Sequence, residues 1–78
     1  TLASAIALGL AWQRASAAAD DNTRFIFQRG TDNGEMPESW FVVAEPISPP
    51  GEGMFRIARD VTVALIALAE ALEARRGE

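Results

Sequence analysis

An Asn-Gly pair between two β-prone runs constrains the fold of this chain more than any other feature. The first run is Thr23–Arg29 and the second covers residues 39–44, and both are rich in aromatic and β-branched side chains. Asn33-Gly34 favours a type I′ turn, because both central residues of that turn adopt positive φ. The sequence therefore predicts an antiparallel β-hairpin in the middle of the chain.

A two-residue turn at Asn33-Gly34 also predicts the register of the hairpin. It places Phe27 opposite Trp40 and Phe25 opposite Val42, so that four apolar side chains share one face. Pro37 disfavours a ladder that continues to the turn, and the alternative is a longer loop over residues 30–38. Whether Trp40 lies in the core or contacts a partner stays open, although this register favours the core.

Helical patterns flank the hairpin on both sides. Residues 2–19 are rich in good helix formers, and their polar face is so thin that we expect this helix to be buried on more than one side. A second helix is predicted over residues 54–76, after a Pro- and Gly-rich connector over residues 45–53. It presents a regular apolar stripe, and three residues lie off it, either as scattered surface or as a second contact face. The stripe is Ile57, Val61, Leu65, Leu68 and Leu72, and the residues off it are Phe55, Val63 and Ile66.

These elements predict one small α+β domain over residues 1–78. It is a helix–β-hairpin–helix fold in which two helices pack on one face of a short antiparallel sheet. A chain of 78 residues buries a small core, and a two-stranded sheet has open edges. We therefore expect a possible homodimer, formed by pairing of edge strands into a four-stranded sheet.

The amino-acid composition excludes most catalytic mechanisms. The chain has no Cys and no His, and its seven basic residues are all Arg, so the usual metal ligands and acid–base groups are missing. We predict no enzyme, no cofactor and no metal. Two loop motifs are better explained as structure: Gly51-Glu52-Gly53 as a linker rather than a phosphate loop, and residues 32–35 as a turn rather than a calcium site. The apolar run at residues 2–12 is too short to span a bilayer and lacks the basic flank of a signal peptide, so we expect a cytoplasmic protein without a membrane partner.

Negative charge is concentrated around the hairpin. The net charge is −4, and residues 20–52 alone hold seven acids and two Arg, a charge of −5. An acidic rim with an exposed aromatic residue favours docking on a basic protein surface, although loop acids also serve solubility. The predicted partner-binding residues are Asp32, Glu35, Glu38 and Phe41. The alternative is a structural or assembly subunit (virion, adaptor or complex-organising protein) that acts through helix and sheet-edge contacts.

The acidic set around the hairpin and the helix–hairpin–helix layout resemble the small, acidic, Cys-free proteins that phages and mobile elements encode as anti-CRISPR inhibitors. That resemblance covers the whole chain and rests on no sequence motif, so it assigns no residue a role. It implies a stoichiometric inhibitor that occupies the basic surface of a nucleic-acid-handling complex, without direct contact to nucleic acid. The charge of −4 is smaller than strong nucleic-acid mimics carry.

Overall fold

The computed structural model of the chain describes residues 1–77 and forms two helices and one three-stranded sheet. The sheet is antiparallel, with strand order β1-β2-β3. In chain order the elements are α1 (Leu2–Ala18), β1 (Thr23–Arg29), β2 (Trp40–Pro46), β3 (Met54–Ala58) and α2 (Val61–Arg76). The prediction of an α+β fold with helices packed against an antiparallel sheet is confirmed.

The third strand corrects the prediction for residues 54–60. We expected the last helix to begin at Met54, but Met54–Ala58 pairs with β2 and the helix begins at Val61. Asp60 marks the boundary, because its carboxylate accepts hydrogen bonds from the backbone N–H groups of Thr62 and Val63 at 2.8 and 3.1 Å. Ile57 therefore belongs to the sheet and not to the stripe of α2.

The hairpin register also differs from the prediction, by two residues. Phe27 lies opposite Val42, and Trp40 lies opposite Arg29. The cause is the loop, which covers residues 30–39 as two successive turns instead of a two-residue turn at Asn33-Gly34. The first turn is closed by a hydrogen bond from the Thr31 N–H to the Glu35 carbonyl at 2.8 Å. The second is closed by a hydrogen bond from the Ser39 N–H to the Met36 carbonyl at 3.0 Å. A shift of two residues keeps every side chain on its predicted face, since side chains alternate with period two.

The core lies between α2 and the helix-facing side of the sheet. Its largest fully buried side chains are Leu65, Leu68 and Leu72 of α2 and Val42 of β2. Trp12 of α1 packs edge-on against Phe25, with 5.0 Å between ring centroids. Most of the predicted stripe of the second helix is thus confirmed as core.

Helix α1 contributes less to the core than we expected. Its buried residues are Ala11, Ala15 and Ala18, whereas every residue from Thr1 to Leu10 is exposed. The expectation of a helix buried on more than one side is therefore wrong, because α1 is covered by α2 on one side of its C-terminal half. Neither helix in residues 1–77 combines the length and apolarity that crossing a bilayer requires.

The C-terminal halves of α1 and α2 are joined by polar contacts. Arg14 donates two hydrogen bonds to the Glu73 carboxylate, at 2.7 and 2.8 Å, and Arg76 donates to the Ala17 carbonyl at 2.6 Å. The two helices therefore run in the same direction, and their C-terminal ends lie together near the start of β1. The hydrogen bond from Arg14 lowers the pKa of Glu73, and the same contact raises the pKa of Arg14.

Candidate functional site: the open sheet face and the hairpin loop

One face of the sheet packs against the helices, and the opposite face carries apolar side chains that no element of residues 1–77 covers. Side chains alternate along β2: Val42 and Ala44 are buried beneath the helices, and Phe41 and Val43 therefore lie on the opposite face. This surface, called the open face below, consists of Ile26, Phe41, Val43, Phe55 and Ile57.

Aromatic stacking organises the open face. The rings of Phe41 and Phe55 are stacked at 6.3 Å between centroids, with 22° between their planes. Phe55 is 51% exposed and Ile57 is 41% exposed, while Phe41 is half-buried. The open face is therefore a preformed apolar surface, with side chains held in place by cross-strand contacts.

Polar groups border the open face at both ends. At one end Arg24 forms an ion pair with Glu45 across the strands, at 2.6 Å. At the other end Gln28, which lies opposite Phe41, donates to the Asp32 carboxylate at 3.0 Å and to the Gly30 carbonyl at 2.8 Å. Gln28 thus holds the start of the hairpin loop (residues 30–39) against the end of the open face that Phe41 occupies.

The hairpin loop presents carboxylates to solvent. Asp32, Glu35 and Glu38 are all exposed. Within residues 1–77 the ion pairs are Arg14–Glu73 and Arg24–Glu45, and none of the three loop carboxylates takes part in them. Asp32 accepts a hydrogen bond from an uncharged amide, so its charge is not compensated there. The three acids predicted as partner-binding residues therefore share one loop, and Gln28 connects that loop to Phe41.

Strand β3 adds two residues to this surface that sequence reasoning did not place there. The sequence pattern instead places both residues in the last helix, with Ile57 on its apolar stripe and Phe55 off it. A usable signal is present in the sequence: apolar residues alternate at positions 55 and 57, and Asp60 follows as a helix N-cap. Val63, also off the stripe, is 57% exposed on α2, whereas Ile66 packs against the core.

Two clefts in residues 1–77 are each smaller than a typical small-molecule site. One, of about 90 Å³, lies at the end of the sheet away from the hairpin loop and is bordered by Asp20, Glu45, Glu52 and Arg75. A second, of about 270 Å³, lies between the C-terminal ends of the helices. Typical small-molecule sites measure about 300–1,000 Å³. Among residues 1–77 no three acidic side chains come together as a metal-binding group.

Comparisons with known proteins add no assignment to this surface. No family model, curated protein or solved structure matches the chain. The geometry of the open face and the hairpin loop is therefore the basis for a function.

Proposed function

We propose that this chain is a non-catalytic binding protein that docks through its open face and hairpin loop onto a basic protein surface. The observation that carries the proposal is an exposed apolar face that Gln28 connects to a loop with three exposed carboxylates, none of which forms an ion pair within residues 1–77. The apolar part supplies area to bury, and the carboxylates supply the sign of charge that the partner must match.

The proposed partner is a nucleic-acid-handling protein complex, whose phosphate-binding surface is basic. A protein that covers such a surface competes with the phosphates that the surface neutralises, and so inhibits or regulates the complex without any chemistry of its own. This is the mode of action that the resemblance to anti-CRISPR inhibitors implies. The charge of −4 on the whole chain favours encounter with a basic surface and makes its rate depend on salt.

Charge reversal in the loop tests this proposal. The chain carrying Glu35→Lys and Glu38→Lys is compared with one carrying Glu52→Lys and Glu70→Lys, which changes the net charge equally at exposed sites outside the loop. Each is immobilised and exposed to a bacterial lysate at low and at high salt. We expect nucleic-acid-binding proteins to be captured at low salt by the unmodified chain and the control, and to be lost with the loop variant.

The same experiment has a contradicting result. If the loop variant captures the same proteins as the unmodified chain at both salt concentrations, the hairpin loop does not steer binding. If the control loses capture as completely as the loop variant, net charge rather than the loop is responsible. Phe55→Ser on the open face then tests the apolar half of the surface, since it removes exposed apolar area and keeps the charge.

A second candidate, an assembly subunit, is favoured by the unpaired edge of β1. Gly30 N–H bonds to the Ser39 carbonyl, and Ile47 N–H bonds to the Asn22 carbonyl, both at 2.9 Å. Even-numbered residues of β1 therefore bond to β2, and the backbone groups of Phe25 and Phe27 point away from the sheet. An edge without proline or bulge is a template for a further strand, from a second copy or another subunit.

Sedimentation distinguishes the two candidates. Self-assembly through β1 predicts a dimer that is populated as the concentration rises, and Phe27→Pro should abolish the dimer because it removes an outward N–H without breaking the ladder to β2. A chain that stays monomeric at every concentration contradicts self-assembly and leaves partner docking as the function to test.

A further inference from the structure

The two outer edges of the sheet differ in what occupies their outward backbone groups. Strand β2 bonds to β1 through its odd-numbered residues and to β3 through its even-numbered residues, so the backbone groups of Phe55 point outward on β3. The Arg56 guanidinium donates a hydrogen bond to the Phe55 carbonyl at 2.7 Å and so covers part of that edge. On β1, within residues 1–77, no hydrogen bond is made to the outward groups of Phe25 and Phe27. The β1 edge therefore keeps donors and acceptors for a further strand.

Helix α1 lines one side of the β1 edge with apolar side chains. Trp12 contacts Phe25 edge-on and lies 6.2 Å from Phe27 between ring centroids. Trp12 is nevertheless 44% exposed and Phe27 41% exposed, and Leu8, one helical turn before Trp12, is 36% exposed. Residues of an added strand that lie opposite Phe25 and Phe27 point to this same side of the sheet. Apolar side chains at alternate positions of such a strand would therefore bury this surface.

The two ends of β1 are both acidic. Asp20 and Asp21 precede the strand, and Asp32 and Glu35 lie in the hairpin loop that follows it. All four are exposed, and none of them forms an ion pair within residues 1–77. A second copy of β1, paired in either direction, brings these acidic ends beside acidic ends, and like charges disfavour that pairing. Basic residues at both ends of an added segment match the charge instead.

We propose that the β1 edge binds an extended segment of a partner protein as an added strand. The segment is apolar at the alternate positions that meet Trp12 and Phe27, and it carries Lys or Arg at both ends. The seven residues of β1 span about 23 Å at about 3.3 Å per residue, so a segment of about nine residues reaches past both ends. This site is the β1 edge of the second candidate function, and it is separate from the open face.

A synthetic peptide tests the proposal on the unmodified chain. The probe is a fluorescently labelled peptide of sequence Lys-Arg-Val-Thr-Val-Thr-Val-Arg-Lys, whose valines share one side of an extended strand. Fluorescence anisotropy should show saturable binding that weakens as salt is added. A control peptide with Glu in place of every Lys and Arg should bind at least about tenfold more weakly at low salt, because its ends meet carboxylates.

Proline substitution at the two edges provides a matched pair of variants. Phe27→Pro removes an outward N–H of β1 and keeps the ladder to β2. It should weaken peptide binding at least about tenfold, because a carbonyl of the peptide loses its donor. Phe55→Pro makes the same change at an outward residue of β3 and should bind the peptide like the unmodified chain. Urea unfolding of both variants shows that each is folded before its affinity is compared.

Amide hydrogen exchange locates the bound peptide without any substitution. We expect the amides of Phe25 and Phe27 to exchange more slowly when the peptide is bound, and the amide of Phe55 to be unchanged. Absence of binding, equal binding by a folded Phe27→Pro variant, or binding without protection of Phe25 and Phe27 overturns the proposal. Protection that rises with chain concentration in the absence of peptide also overturns it, because a second copy then occupies the edge. Docking through the open face survives each of these results, since charge reversal in the hairpin loop tests it separately.

Discussion

Truncation of Leu68 is the sharpest test of the packing, because this core contains few large side chains. Leu68 is 0% exposed in the middle of α2, the helix that packs against both α1 and the sheet. Leu→Ala at a fully buried site costs about 3–5 kcal/mol when the surroundings collapse poorly. A domain of this length has a total stability of only about 4–12 kcal/mol at about 0.05–0.15 kcal/mol per residue. Leu68→Ala should therefore remove a large share of the free energy of unfolding.

Thermal and urea unfolding measure this loss. At about 4–8 °C per kcal/mol for a domain of this size, a loss of about 3–5 kcal/mol should lower the melting temperature by about 12–40 °C. Val63→Ala is the control on the same helix, since Val63 is 57% exposed and the change should stay within about 0.5 kcal/mol. A loss below about 1 kcal/mol for Leu68→Ala, with an unchanged urea slope, would refute the packing of α2 described here.

Three further perturbations test individual contacts by urea or thermal unfolding. Gly53→Ala should cost about 1–3 kcal/mol, because its Cβ would collide with the carbonyl of the neighbouring strand β2, whereas Gly51→Ala should cost far less. Asp60→Ala should cost about 1 kcal/mol of stability, because it removes the N-cap of α2. Asp60→Asn should retain most of this stability, because an amide oxygen can accept the same hydrogen bonds. The bond from Arg14 lowers the pKa of Glu73, so its stabilisation is present above the ordinary Glu pKa and is lost as pH falls through the lowered value. Arg14→Gln should remove this acid-dependent part, which is small because both side chains are exposed.

The elements that could be predicted are those whose local pattern and tertiary environment agree. Strand β1 has its predicted bounds, and α2 ends at Arg76 as expected. Strand β3 was missed because Ile57 also fits the helical spacing of Val61 and Leu65. Five residues give too short a window to separate the two periods. The pairing of β3 with β2 decides between them, and that pairing is a tertiary interaction.

In the register and the candidate site, too, local sequence patterns predict some features, and tertiary contacts determine the others. Local turn preference favours Asn33-Gly34, but the loop instead closes at Thr31 and Met36, with Gly30 at φ +67. Exposure of the loop acids could be expected from composition, since charged residues in turns stay hydrated. The hydrogen bond from Gln28 to Asp32, which connects the loop to the open face, could not be expected, because it depends on the longer loop.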